Sequence, residues 1–283
     1  MNPIRTAILG YGRSGSTMHA GAIEKHTHFK MAAVCDIDPE RRDEAQERFS
    51  CAVYERYEEM LDNEDLDLVC VITRNDQHAA MSCDCLEAGV NVLVTKPWAA
   101  NADEAKRMIA ARDAGGMKLL PWLPARWGSD FRRLRELLAE NAIGNVFAIR
   151  RTVHSYARRS DWQTEARCAG GYILNWGPHI VDPPLLLAGY RPATINAWTY
   201  RAINPGDVED SFLAMITNED GTLVTAEHAI CPEAPPSWVI QGDRGMITVR
   251  GTQLVIHKQA PKEPHDPTRH QDMTAGKSEV IEE

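Results

Sequence analysis

Six residues near the start of the chain, Gly10-Tyr11-Gly12-Arg13-Ser14-Gly15, carry three glycines at a spacing that lets backbone approach a phosphate. The apolar run "TAIL" precedes them, and a helical segment beginning at Ser16 follows. In that setting the glycines serve a tight turn, open access to a pyrophosphate and close packing of helix on strand, with the phosphates at the helix N-terminus. Asp36 ends the next apolar run. A carboxylate there accepts hydrogen bonds from adenosine ribose hydroxyls and repels a 2'-phosphate, so the set predicts a dinucleotide site that takes NAD in preference to NADP. Arg41 and Arg42 read as two turns into the following helix, a poor place from which to reach an added phosphate. Taken singly, the glycine spacing fits a plain turn, and Asp36 a surface residue before a helix.

Lys96 and His179 are the candidates for proton transfer. Moving a hydride off a carbinol carbon requires that the hydroxyl proton leave as the carbonyl forms. Lys96 follows "NVLVT" at the carboxyl end of a strand, the edge of an open α/β sheet where ligands bind. Its plain alternative is a strand-end Lys reaching solvent. His179 comes early in a helix after a glycine-rich turn and equally fits a core or capping residue. Asn175 could hold its ring by a hydrogen bond, but an amide does not stabilise an imidazolium as a carboxylate does. Asp182, one turn beyond His179, either supplies that carboxylate or simply favours the helix start. For substrate, Thr152, His154 and Tyr156 share one side of "RTVHSYARR", with Arg126, Arg159 and Trp162 as further polar and aromatic groups. Such a face suits a sugar or polyol, and equally a packed subunit interface.

The elements that must position these groups are legible in outline. From residue 4 to about 120 short apolar runs ("IRTAIL", "FKMAAVCD", "LDLVCVIT", "NVLVTK", "MKLLPW") alternate with helical patterns, including Pro39 to Phe49 and Asn75 to Ala88, which predicts βαβ units on a parallel sheet. After "LLPWLP" the pattern changes. A helix over Ser129 to Glu140 places Phe131, Leu134, Leu137 and Leu138 on one face; a long strand and a helix over Ile173 to Ala188 follow. Strand-like text then runs from Ala193 to His257, broken at "NPGD", "NEDG" and "GDRG", which predicts an antiparallel sheet. The last stretch is polar, contains prolines and has no periodicity, so it predicts a loose arm.

Two segments carry a family resemblance. "VITRNDQHAAMSCDCLEAGVNVLVTKPWA" resembles the Gfo/Idh/MocA (glucose-fructose oxidoreductase and inositol dehydrogenase) pattern at Thr73, Asn75, His78, Lys96 and Pro97, with Thr95 where Glu is usual. "GGYILNWGPHIVD" resembles the second signature of the family at Gly170, Gly171, Gly177, His179 and Asp182, with Asn175 where Asp is usual, and "ARWGSDFRRLREL" looks like an opening of the substrate domain. The resemblance implies an α/β protein: a Rossmann doubly wound parallel sheet over residues 1–122, an α+β substrate domain with a large, mostly antiparallel open sheet over 123–258, and a polar tail over 259–283. It implies NAD-dependent hydride exchange with a secondary alcohol of a sugar, inositol or related polyol, with Lys96 as acid/base and His179, beside Asn175, orienting the hydroxyl. Cofactor contacts fall to Gly10, Gly12, Arg13, Ser14, Gly15, Asp36, Thr73, Asn75, His78, Lys96 and Pro97. The substrate contacts expected are Lys96, Asn175 and His179 from the resemblance, together with Arg126, His154, Tyr156 and Trp162 from residue type alone. Some relatives resemble glycosidases that use NAD without net redox, and Asn175 keeps a non-catalytic NAD or sugar sensor open.

Composition excludes other classes. The net charge of -9 argues against nucleic acid, and no apolar run reaches the length of a membrane span. Seven cysteines, an odd number without CxxC spacing, read as reduced thiols in the cytoplasm rather than as a metal site. An exposed face of the C-terminal sheet predicts a homo-oligomer.

Overall fold

The computed structural model describes residues 2–259, 268, 270 and 275–282. The chain forms two compact units, Met1–Trp122 with Arg167–Ala169, and Leu123–Ala166 with Gly170–Glu283.

In the first unit β1 (Ile4–Leu9), β2 (Phe29–Cys35), β3 (Ala52–Tyr54), β4 (Leu68–Val71), β5 (Asn91–Thr95) and β6 (Leu119–Trp122) form a parallel sheet in the order β3-β2-β1-β4-β5-β6. Its central strands are apolar on both faces because helices cover both, leaving Ala7, Ile8, Val34, Val69, Val71, Val92 and Val94 fully buried. Each large apolar side chain so buried contributes about 1.5–3 kcal/mol. The helices are α1 (Ala20–Lys25), α2 (Pro39–Phe49), α3 (Tyr57–Asn63), α4 (His78–Glu87) and α5 (Ala102–Gly115). Local chemistry sets their starts. Asp38 caps α2 by accepting from the Glu40 N–H at 3.0 Å, with Pro39 as the first helical residue. Asn101 caps α5 through the Glu104 N–H, while Glu104 reaches back to the Ala100 N–H. Strand order reverses between β1 and β4, so the carboxyl ends of these strands flank a crevice.

In the second unit α6 (Ser129–Ala139) leads into β7 (Val146–Ser155), and α7 (Tyr172–Asn175) and α8 (Gly177–Leu187) precede β8 (Pro192–Tyr200). β9 (Ser211–Asn218), β10 (Leu223–Ile230), β11 (Trp238–Gly242), β12 (Gly245–Arg250), β13 (Gln253–Gln259) and β14 (Ala275–Glu282) complete an eight-stranded sheet, order β14-β13-β12-β11-β7-β10-β9-β8. Every pairing is antiparallel except β7 with β10. Phe131, Leu134 and Leu137 of α6 and Leu185 of α8 pack on Ile149, Val224, Trp238 and Ile240 from one sheet face. Around this core, Trp238 Nε1 donates to Asp130 and Arg151 lies 4.6 Å over the indole ring. The opposite face carries exposed Trp198, Tyr200 and Met215, the first two stacked 5.7 Å apart.

The sequence expectations need three corrections. The tail does not stay loose throughout: residues 275–282 form β14, with Ile281 opposite Leu254 and packed against the core, and Lys258 bonded to Glu279 at 2.9 Å. Pairing with a formed edge strand supplies the order that its own composition does not; much of the stretch between lies outside the described residues. The helix over 173–188 is two helices meeting at Trp176. Tyr156 lies beyond the end of β7 and is exposed rather than sharing the buried environment of Thr152. Among the described residues no helix is long and apolar enough to cross a membrane.

Candidate active site

The glycine loop follows β1 and enters helix directly, with a wide π-helical turn over Ser14–His19 before α1, two residues earlier than the sequence predicts. Gly10 has φ +90°, and a Cβ there would stand 2.7 Å from the Ile72 carbonyl oxygen; a Cβ on Gly15 would overlap the Gly10 carbonyl. Both positions demand glycine because β1, β4 and the helix start crowd together. Gly12 differs: a Cβ there would meet only the Arg41 guanidinium, at 3.5 Å. Open backbone at a helix start is what a pyrophosphate needs, so the residues fit a dinucleotide. Arg13 is the exposed residue before the helix and Ser14 its half-buried first member. Arg48 of α2 braces the turn by donating to the Ser16 carbonyl at 2.9 Å and to Tyr11 Oη at 3.4 Å.

Asp36 directly follows β2 and is buried. One carboxylate oxygen accepts the Tyr11 N–H at 2.7 Å and the other the Asp38 N–H at 3.0 Å, so it holds the glycine loop. Arg41 corrects the sequence expectation. It lies in the first turn of α2, not two turns in, and its Nη1 is 3.5 Å from Asp36 Oδ2, beside Gly12. Arg42 is turned to the Asp36 carbonyl and to Glu55 instead.

His78, at the start of α4, is buried with Nδ1 2.7 Å from the Pro97 carbonyl and Nε2 3.0 Å from the Thr73 carbonyl. Burial pushes its pKa down, and Lys96 opposes its charge further. The neutral ring has one N–H and so donates to one of these two carbonyls while lying against the other, which packs the loop after β4 on the loop after β5, with Thr73 and the half-buried Lys96 at the carboxyl edge of the sheet. Asn75, also buried, donates to the Ala169 carbonyl at 2.8 Å.

In the second unit α7 and α8 bring Asn175, Trp176 and His179 together in one short stretch. Asn175 is buried, His179 half-buried, and the Trp176 ring lies 5.9 Å from the His179 ring. Asp182 does not supply a spare carboxylate: it accepts two hydrogen bonds from Arg126, at 2.6 and 2.8 Å, and one from Tyr190 at 3.2 Å. Arg126 and Arg159 are both spent on intramolecular bidentate pairs, the latter with Asp161 at 2.6 and 3.0 Å. His154 faces Cys231 and Glu227 on the sheet. Trp162 is half-buried in a short turn. Trp176 is the neighbour of His179 that residue-type reasoning missed, although the aromatic between two glycine-flanked helical segments was its signal.

A family model described as "Oxidoreductase family, NAD-binding Rossmann fold" matches residues 4–120, and a GFO/IDH/MocA C-terminal domain matches residues 131–248. The scyllo-inositol 2-dehydrogenase (NADP(+)) IolW of Bacillus subtilis is 27% identical over 245 residues, 86% of this chain and 67% of that protein. A trans-1,2-dihydrobenzene-1,2-diol dehydrogenase of Mus musculus is 25% identical, over 83% of this chain and 72% of its own. Among solved structures, the WlbA dehydrogenase of Chromobacterium violaceum in complex with NADH and UDP-GlcNAcA superposes with TM-score 0.82 at 26% identity, covering 88% of this chain and 74% of that one. An NAD-binding protein of Listeria innocua gives TM-score 0.85 at 25% identity, with 99% and 81% covered. The matched models span both units and the solved relatives share the architecture: the chain belongs to the GFO/IDH/MocA family of oxidoreductases.

Proposed function

We propose that this protein exchanges a hydride between a nicotinamide dinucleotide and a secondary alcohol of a sugar, inositol or related polyol. The glycine cradle at the reversal of strand order, with Asp36 facing it and Lys96 on the same carboxyl edge, carries the reading. Relatives named for inositol and diol dehydrogenation, and a structural neighbour holding NADH with a nucleotide sugar, support the substrate class. The nicotinamide, when bound, supplies the hydride acceptor.

This chain's residues do the rest. Gly10, Gly12 and the helix start hold the phosphates, and Asp36 takes the ribose hydroxyls, which favours NAD. Arg41 beside it gives a 2'-phosphate a cationic neighbour and so leaves NADP usable. Lys96 Nζ takes the hydroxyl proton as the carbonyl forms. Copies associate through the face bearing Trp198, Tyr200 and Met215. The test is a panel of inositols, free sugars, nucleotide sugars and vicinal diols with each cofactor, followed at the reduced-nicotinamide absorbance. Net reduction with at least one polyol is expected; binding of cofactor and sugar without reduction across the panel overturns the proposal.

A further inference from the structure

Away from the glycine cradle, one thiol has a base and a carboxylate in line. Cys231 follows β10, and its N–H donates to the Ser155 carbonyl at 3.0 Å, which seats it beside the end of β7. Its Sγ lies 2.9 Å from His154 Nδ1. The other ring nitrogen, Nε2, is buried without a hydrogen-bond partner among the described residues and stands 3.6 Å from Glu227 Oε1. The parallel pairing of β7 with β10 makes this juxtaposition: Glu227 is opposite Thr152 and Ala229 opposite His154, on the face away from the core.

The carboxylate selects the tautomer. With Glu227 nearest to Nε2, the ring proton is favoured there, which leaves the Nδ1 lone pair facing the thiol. In the resting thiol, S–H also has the Glu233 carbonyl within 3.1 Å. His228, turned to the core side of β10, does not compete for the proton near neutrality, because burial pushes its pKa down to about 4. Cys35, Cys70 and Cys85 differ from Cys231 in kind: they are buried and burial raises each thiol to about 12.

We propose that Cys231, His154 and Glu227 form an activated-thiol site, separate from hydride transfer, whose reaction partner is a low-molecular-weight disulfide. The Cys231 proton passes to His154 Nδ1 and the resulting thiolate attacks one sulfur of the disulfide. A new S–S bond forms to Sγ, the original S–S bond breaks, and the leaving thiolate takes up the proton from His154. Cys231 is oxidised to the mixed disulfide, and half of the incoming disulfide is reduced to thiol.

The test uses the full chain with two probes, iodoacetamide and oxidised glutathione, with the modified cysteine assigned by peptide mass. At pH 7 in dilute protein, Cys231 is expected to alkylate about 10-fold or more faster than half-buried Cys83 and to carry the glutathione mass. His154→Gln is expected to slow both reactions about 10-fold or more, and Glu227→Gln a few-fold, with thermal melts close to wild type. Parity of Cys231 with Cys83, or alkylation without disulfide exchange, overturns the proposal. If His154→Gln does not fold, Glu227→Gln decides alone, since an unchanged rate would remove the constellation. Because Met215 and Trp198 share this face, slowing at high protein concentration reports its covering by a second copy and leaves the dilute rate as the criterion.

Discussion

The Asp36 carboxylate accepts the backbone N–H of Tyr11 at 2.7 Å, tying the end of β2 to the glycine loop after β1. One side chain thus fixes the loop, with the Arg41 guanidinium 3.5 Å away.

Cofactor choice follows from that pair. Asp36→Ala removes the ribose acceptor, the repulsion of a 2'-phosphate and the tie to Tyr11, so NAD affinity is expected to fall about 10-fold and the preference over NADP to narrow. Arg41→Ala is expected to weaken NADP about 10-fold and leave NAD within a few-fold. Calorimetric titration of both variants with both cofactors measures this; tighter binding of NADP than NAD by the unchanged protein contradicts the role given to Asp36.

Lys96→Met is expected to leave cofactor binding nearly intact and to lower kcat about 100-fold or more. Steady-state kinetics on the best polyol of the panel separates the roles. An unchanged kcat with a raised KM would make Lys96 a binding group only.

Asn175→Asp probes the departure from the family pattern. With Lys96 as the base, wild type turns over and the variant changes kcat by less than about 10-fold. A variant that turns over where wild type does not, on one substrate panel, would move the proton transfer to the His179 pair and make the natural protein a binder.

Two buried imidazoles give the protein an acid limit. Burial lowers His19, in edge contact with Trp122, and His228 from 6.5 to about 4. Both rings are neutral when folded and bind a proton below about 6.5 when unfolded. Their contribution is therefore complete above that pH and is lost as pH falls towards 4, at most about 3 kcal/mol for each ring. Urea midpoints at intervals from pH 7 to 4.5 are expected to fall, and His228→Gln to flatten the decline. Equal slopes for variant and wild type would discount His228.

The apolar runs separated by helical patterns determined the parallel sheet, because a strand covered on both faces must be apolar throughout and a solvated helix must be polar on one side. Pro39 inside α2 and the glycine spacing after β1 likewise act through neighbours in sequence, so their effects were legible there. Other features depend on partners far along the chain. β14 is ordered by β13, its Ile281 reaching a core that its own polar sequence does not announce. Asp182 reads as a spare acid until Arg126, 56 residues away, takes both its oxygens. Arg41 reads as remote until the first turn of α2 places it beside Gly12, and the sequence does not announce that the His78 ring lies between the carbonyls of Pro97 and Thr73. Residue type and local spacing fixed which chemistry the chain could offer. Only the packing of distant segments decided which charges were already paired, because a hydrogen bond between groups far apart in sequence leaves no periodic mark in it.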